Sequence, residues 1–583
     1  MINTELGEGR RRGTGAHHDL DRPTQRRVSR LVSTTLLPGP RPWPARDAPL
    51  ARAVRLGTRS YRYVPPSIRD PRIHLSVVIL TILFIGIGWL GFRVSIAQII
   101  VTLATCAAIE LAMTYRRTAM FVWPASALQT GTSTALLFRV IGTENGDYWT
   151  LRGWYLFAAV GALGLLSKYV IRFRSGHVFN PSNIALVAAF LVLGSGRVEP
   201  LDFWWAPFDW PMAAAYAVIV AGGLFICSRL RLLGLGAALW LSLAAGIGVL
   251  ALADHSITAR WSFTPITGTH FWWIIMTSPE ILIFLFFMIT DPRTVPSGRV
   301  ARIAYGTTIG VVSTVLIAPW ETEFGAKVGL LSGLVIVCAA RPLFDRYFPA
   351  AGSEDDHPGR FLVRALSGGR RQMVPAAVLP RVAAGTFVVG LLAAVITVAG
   401  WPARSTDAEA PFATDIGMIA EIDPAILPTV TIDPQVAGLS AGLATPEGAQ
   451  QLAATLAWNL QVEAEALSTG DASLLPAITD GARLQDLEAL IEAGSVDGQR
   501  VIPSYTFDSL DLMVVFPGGF QRGANAGLAA RGTVEEVVRS DSGDEIERRE
   551  RPFEITFSLR QTTSGRWLNT DTLPYGTGAD PPP

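Results

Sequence analysis

Asp291-Pro292-Arg293-Thr294-Val295-Pro296-Ser297-Gly298-Arg299 follows directly on the apolar run Ile281 to Ile289 and precedes another at Ile303. Hydrocarbon cannot satisfy the backbone groups of such a polar, proline-punctuated turn, so it has to line a site or anchor a helix end. An earlier stretch has the same character: Arg172-Phe173-Arg174-Ser175-Gly176-His177-Val178-Phe179-Asn180-Pro181-Ser182-Asn183 also lies between two apolar runs. Any function of the membrane part is expected to involve both segments.

With 583 residues, half of them apolar and only 17% charged, the chain is too apolar for an ordinary soluble protein and reads as a polytopic membrane protein. Its net charge of +1 hides a segregation. Residues 402–583 hold 27 acids against 11 arginines, about −16, which leaves about +17 for the rest. Cys106, Cys227 and Cys338 fall in apolar runs without C-x-x-C spacing, so neither a disulfide framework nor a zinc or iron–sulfur site is supported. No short apolar core with a small-residue cleavage site is seen near the start, so the first membrane helix is expected to direct insertion itself.

Residues 1–73 carry 15 Arg and 6 acids among Pro, Gly and Ser, and read as a disordered basic cytoplasmic arm. Such a bias before a first span is the positive-inside signal rather than a nucleic-acid-binding feature. Ten apolar runs then lie near 75–93, 95–114, 119–141, 153–171, 182–195, 211–228, 231–253, 271–290, 302–319 and 325–340. A span needs about 20 residues, so the fifth is short. Alternate threading puts Arg116, Arg117, Arg172, Arg174, Arg229, Arg231, Arg293, Arg299, Arg302, Arg341 and Arg346 on the side of the arm. The acids Glu144, Asp147, Glu199, Asp254, Glu321 and Glu323 fall on the other. Residues 74–346 thus form a ten-helix domain, 347–380 a cytoplasmic linker and 381–401 an eleventh span in a multi-pass, bacterial-type plasma membrane protein.

The remaining chain is expected outside the cytoplasm. Residues 402–447 read as a Pro- and Asp-rich linker and 448–575 as an acidic α+β domain, with 576–583 a disordered tail. Leu452, Leu456, Leu460 and Ala464 have helical spacing. Alternating segments near Val501–Phe507, Leu510–Phe516, Gly532–Arg539, Phe553–Leu559 and Arg566–Asp571 read as strands. One or two helices followed by about four antiparallel strands resemble the cone-shaped NTF2-like or cystatin-like folds in pattern. The domain has no His, Cys or Lys, which argues against hydrolytic or covalent catalysis there.

Ten spans divide into two sets of five, and an odd number per set forces opposite orientation, as in two inverted five-helix repeats. The third run carries Pro124 followed by Ser126, Thr130, Thr132 and Thr134, and the eighth carries Ser278, Pro279 and Glu280. Broken, polar segments of this kind face protein or a polar cavity, or else are kinked helices whose hydroxyls bond back to their own carbonyls. Thr130, Thr132, Thr134 and Glu280 are therefore candidates for an ion or substrate path. Glu110 and Lys168 lie near the cytoplasmic boundary and are expected to snorkel. Asn180-Pro181 is a good helix start, and with Arg172, Arg174 and His177 nearby it could hold an anion. Asp291, Arg293 and Arg299 provide a second polar turn on the same face. The alternative is that these residues only fix topology and cap helices.

At these residues the chain resembles the NqrB and RnfD family, membrane subunits of sodium-pumping NADH:quinone reductase and of the Rnf electron-transport complex. Phe179-Asn180-Pro181-Ser182 looks like the family's F-N-P-A. Thr290-Asp291-Pro292 with Gly298-Arg299 and Tyr305-Gly306 is similar to its T-D-P, G-R and Y-G pattern, and Leu128-Gln129-Thr130-Gly131 through Leu136-Leu137 resembles its third span. The variant Asn-Pro-Ser-Asn looks closest to relatives encoded with enediyne biosynthesis genes. The resemblance covers residues 75–346. It implies a ten-helix inverted repeat, a flavin cofactor and a part in membrane electron transfer, coupled to Na+ or H+ in the pumping members. Those members attach FMN through a threonine in a loop after the fifth span. Here that loop, Gly194 to Trp210, has no threonine, so FMN or riboflavin held non-covalently is the expectation.

No nicotinamide-binding glycine fingerprint or iron–sulfur cysteine set accompanies these motifs, so an electron-transfer role needs partner proteins as well as membrane lipid. Two rival readings stay open: a flavin-free transporter or channel through the broken spans, and a scaffold whose acidic outer domain recruits a partner.

Overall fold

Backbone amides and carbonyls in hydrocarbon must be satisfied within their own segment, so each apolar run folds as helix. The computed structural model describes residues 52–56, 59–173, 176–200, 208–259, 261–367, 375–403, 422–494, 499–517, 523–540, 544–562 and 565–578. Over the ten runs lie α1 (Pro71–Trp89), α2 (Ile96–Thr118), α3 (Ala125–Leu137), α4 (Trp154–Val170), α5 (Pro181–Leu193), α6 (Trp210–Leu230) and α7 (Leu233–Leu252). They continue with the broken pair α8 (Gly268–Thr277) and α9 (Pro279–Ile283), then α10 (Arg299–Ile317) and α11 (Glu323–Tyr347). A cytoplasm-side expectation of plain linker at 347–380 gives way to a further helix, α12 (Pro358–Ser367), ahead of the apolar α13 (Pro375–Ala399). Among the described residues six helices are long and apolar enough to cross a membrane, and the bent pair makes a seventh candidate. The chain is an integral membrane protein.

The caps follow the sequence. Asp70 accepts the Arg72 amide ahead of Pro71, Ser95 and Gln98 form a reciprocal capping box, and Asp209 accepts the Met212 amide ahead of Pro211. The third run departs from expectation: helix covers only 13 residues, flanked by β3 (Met120–Val122) and β4 (Phe138–Val140). Pro124 delays its start, and pairing of β4 with β7 (Val198–Pro200) takes the chain out of helix at its end.

Contacts between connecting segments sort them into two ends. At the first end β2 (Arg59–Val64) pairs with β3, the Arg302 guanidinium donates to the Arg231 carbonyl, and the Ser297 amide donates to Asp345. At the second end the Ile96 amide donates to the Tyr148 carbonyl, Ile141 to Arg197, Thr258 to Glu321 and Ser256 to Ala403. Each contact joins segments that alternate threading puts on one side. The first end holds the arginines expected there. Among the described residues, exposed Trp89, Trp149, Trp154, Trp210, Trp273, Trp320 and Trp401 belong to the helices and loops of the second end, and Trp123 to the first, as interfacial aromatics do. Residues 52–64 are a correction to the disordered arm: β1 (Arg52–Leu56) and β2 form a hairpin, with β2 parallel to β3. Residues 1–51 lie outside the described residues.

Packing follows a simple scheme. α2 packs against α3 and α4, and α4 against α5; α7 packs against α8 and α10, and α10 against α11. Between these groups α1 meets α6 and α5 meets α11. Close approach depends on glycine at Gly306 and Gly310, where a Cβ would lie 2.5 Å from the Leu235 carbonyl and 2.9 Å from the Leu243 amide of α7.

The C-terminal part is α+β. Its sheet order is β12-β11-β10-β9-β8, built from β8 (Val430–Ile432), β9 (Gln499–Val515), β10 (Asn525–Ser540), β11 (Glu545–Gln561) and β12 (Trp567–Pro574). All neighbours are antiparallel except β8 with β9. The two strands expected at 501–507 and 510–516 are one, continuous across an irregularity opposite Gly532. α14 (Pro446–Thr469) lays Leu452, Leu456 and Leu460 on the sheet, and α15 (Gly481–Ala493) follows it. The expected linker is a linker only in part, because Val430, Val436 and Leu443 are buried in this core.

Candidate functional site

Two helix ends meet at the arginine-rich end. Asn180 caps α5: its side-chain oxygen accepts the Asn183 amide and the Ser182 hydroxyl, with Pro181 in the first turn. Its side-chain nitrogen reaches across to donate to the Met288 carbonyl at 2.7 Å. That carbonyl belongs to the π-helical turn Phe284–Met288 that continues α9, where widened pitch leaves acceptors exposed. Next to it His177 Nε2 lies 2.7 Å from Asp291 Oδ2. Burial pushes the Asp291 carboxyl up, but His177 opposite, the Arg293 amide and the Arg293 charge outweigh it and hold the group below its ordinary value. Arg341 of α11 donates to the Arg293 carbonyl and fixes the far side of the turn.

The structure thus brings His177, Asn180, Asp291 and Arg293 together. Arg172 is exposed in the two-residue strand β5 (Arg172–Phe173), which pairs with β6 (Gly176–His177). Arg174 lies outside the described residues. Arg299 begins α10 as an exposed side chain near Arg302, apart from the His177 pair, because the Gly298–Val300 backbone is turned toward Asp356, which accepts the Val300 amide. Asn180 and Asp291 are engaged in closing the two ends on each other, which leaves Arg293 and the ring of His177 for a ligand. Among the described residues, buried His177 Nδ1 has no hydrogen-bond partner, so that edge of the ring is open to a polar group of a ligand.

A second group lies across the break in the eighth run. α8 and α9 meet at 41°, with the Ser278 hydroxyl accepting the Ile281 amide and Pro279 opening α9. Carbonyls freed by the break find side-chain donors: Tyr216 donates to Thr277 and Trp240 to Met276. Glu280 follows the break, and its Oε1 is 2.9 Å from Lys327 Nζ of α11, which is 2.5 Å from Glu323 Oε1. All three side chains are under a tenth exposed. One ammonium between two carboxylates in apolar surroundings is a charged assembly that lipid-facing residues could not sustain.

Of the α3 hydroxyls, Thr130 and Thr132 bond back to the Ser126 and Gln129 carbonyls, while the hydroxyl of fully buried Thr134 has no partner among the described residues. Glu110 and Lys168 do not snorkel separately. They pair at 2.9 Å, and Lys168 also donates to Ser126 at 2.8 Å, because a partner within reach is cheaper than extension to water. Lys327, Glu323, and the buried pair of Arg139 with Glu199 escape a reading of the sequence that looks for charges near breaks. A compositional signal was available: among 49 basic residues only Lys168 and Lys327 are lysines, and both sit inside apolar runs.

No protein-family model matches the chain, and no curated protein is significantly similar to it.

Proposed function

We propose that this chain is a membrane electron-transfer subunit of the NqrB and RnfD type, built from two inverted five-helix repeats, with a flavin held non-covalently at its arginine-rich end. The observation that carries this reading is the closure of the Asn180-Pro181 helix start on the Asp291 turn through the 2.7 Å contacts of Asn180 and His177. These are the two motifs on which the family resemblance rests. The packing scheme supports the repeats: the contacts of α2 through α5 recur among α7 through α11, and α1–α6 and α5–α11 are the pairs that a two-fold axis in the membrane would generate. The concentration of arginine at the first end supports a cytoplasmic first end and an extracytoplasmic C-terminal domain, which we read as NTF2-like from its helices laid on an antiparallel sheet.

A bound flavin would supply one- and two-electron chemistry. The chain's own part would be to orient it: Arg293 and the open edge of the His177 ring would hold its polar groups, while Asp291 holds the ring of His177. The Asn-Pro-Ser-Asn form of the motif favours service in natural-product (enediyne) biosynthesis, with soluble or membrane redox partners. The protein purified from membranes is expected to release flavin to the supernatant on acid precipitation. Flavin in neither supernatant nor pellet contradicts the reading.

The Glu280–Lys327–Glu323 assembly favours a second reading, a flavin-free ion or small-molecule transporter. In that case proteoliposome uptake is lost in Glu280→Gln while the protein carries no flavin.

A further inference from the structure

The segment between α7 and α8 leaves the membrane domain and returns. Ile257 and Ile266 exchange both backbone hydrogen bonds, at 3.1 and 2.9 Å, and both side chains are buried in the membrane-domain core. The hairpin they form carries Phe263 at its far side. Phe263 is 4% exposed and belongs to the buried cluster of the C-terminal domain that also holds Leu510, Leu512 and Phe557. Its ring meets Trp567 of β12 edge-on at 5.9 Å, and its carbonyl accepts the Gln561 amide of β11. An aromatic side chain of one domain completes the core of the other.

The near side of the same hairpin is tied to the buried charges. Thr258 donates its amide to the Glu321 carbonyl at 2.8 Å and accepts the Glu323 amide at 3.2 Å. These bonds set the first turn of α11, from which Glu323 reaches Lys327 and Lys327 reaches Glu280. Ser256 donates to Ala403 in the 3-10 turn Trp401–Ala403 that follows α13, so the base of the hairpin is also fixed to the segment leaving that helix.

We propose that residues 256–259 and 261–267 act as a strut that couples the seating of the C-terminal domain to the Glu323–Lys327–Glu280 assembly. A partner that shifts the outer domain thereby moves a charge relay inside the membrane, and a change in that relay is felt at the outer domain. Coupling of this kind is reciprocal. It stands on the geometry of the strut and holds whether the membrane domain moves electrons or ions.

Hydrogen exchange read by mass spectrometry on the full chain in lipid nanodiscs tests it from both sides. Phe263→Ala empties a buried aromatic site, and exchange at Gln561 is expected to accelerate about a hundredfold. Coupling requires the same variant to accelerate exchange at Ile257, Thr258 and Glu323, with the 177–183 segment at the other end unchanged. From the opposite side, Lys327→Met is expected to accelerate exchange at Gln561. Acceleration confined to the mutated side in either variant overturns the proposal. Should Phe263→Ala loosen the 177–183 segment as well, the milder Phe263→Leu takes its place under the same criterion. A photoreactive benzoylphenylalanine at 263 is expected to capture the 553–570 segment in native membranes, and its failure to do so also overturns the proposal.

Discussion

Replacing Lys327 by methionine removes the one ammonium that holds Glu280 and Glu323 together, at 2.9 and 2.5 Å, among side chains less than a tenth exposed. Two carboxylates then face each other in apolar surroundings. Breaking a buried ion pair by deleting one partner costs about 3–5 kcal/mol, chiefly because the survivor is left uncompensated. Glu280→Gln is different, since Lys327 keeps Glu323 and the amide can still accept from the ammonium; a loss of about 1–2 kcal/mol is expected. The triple variant Glu280→Gln, Glu323→Gln, Lys327→Met carries no charge and should regain most of the stability lost by Lys327→Met alone. Denaturant midpoints of the protein in mixed micelles, followed by tryptophan fluorescence, give the order. Wild type should be most stable, then Glu280→Gln, with Lys327→Met last. A Lys327→Met variant as stable as wild type, or a Glu280→Gln variant less stable than Lys327→Met, refutes the reasoning.

Gly310→Leu, with a Cβ that would sit 2.9 Å from the Leu243 amide and 3.0 Å from the Leu239 carbonyl, is expected to lower stability by about 2 kcal/mol or more. Gly88→Ala, where a Cβ meets nothing within 4 Å, serves as the neutral control in the same thermal-shift measurement. Because Asp291 is held below its ordinary value of 3.8, its contribution to stability is present above that value and lost as pH falls through the lower folded one. Asp291→Asn should therefore flatten the acid side of a stability–pH profile, and an unchanged acid limb would show that the His177 contact contributes nothing.

Much of the membrane domain was legible because its signals are long and redundant. Apolar runs of membrane length, Asn180-Pro181 as a helix start, the break at Pro279 and arginines at alternate turns all concern a single segment and its solvent. Harder to read were features that depend on a partner distant in sequence. Lys327 reads as an isolated charge until α9 brings Glu280 to it. The third run reads as one helix until β4 finds β7, 58 residues on by the pairing of Val140 with Val198. Phe263 lies in a loop whose purpose is set by Trp567, which no local pattern announces. The spacing Gly306-x-x-x-Gly310 was a usable sign of close helix packing, and it marks where α10 meets α7.

In the proposed function, the closed pair of motifs holds a flavin without a covalent bond. Flavin released by acid from equal amounts of wild type, Arg293→Ala and His177→Ala, each first shown to be folded by gel filtration, tests it most directly. Close to one flavin per wild-type chain, all of it in the supernatant, and a marked loss in both variants are expected. Flavin absent from wild type, or retained undiminished by both variants, contradicts it.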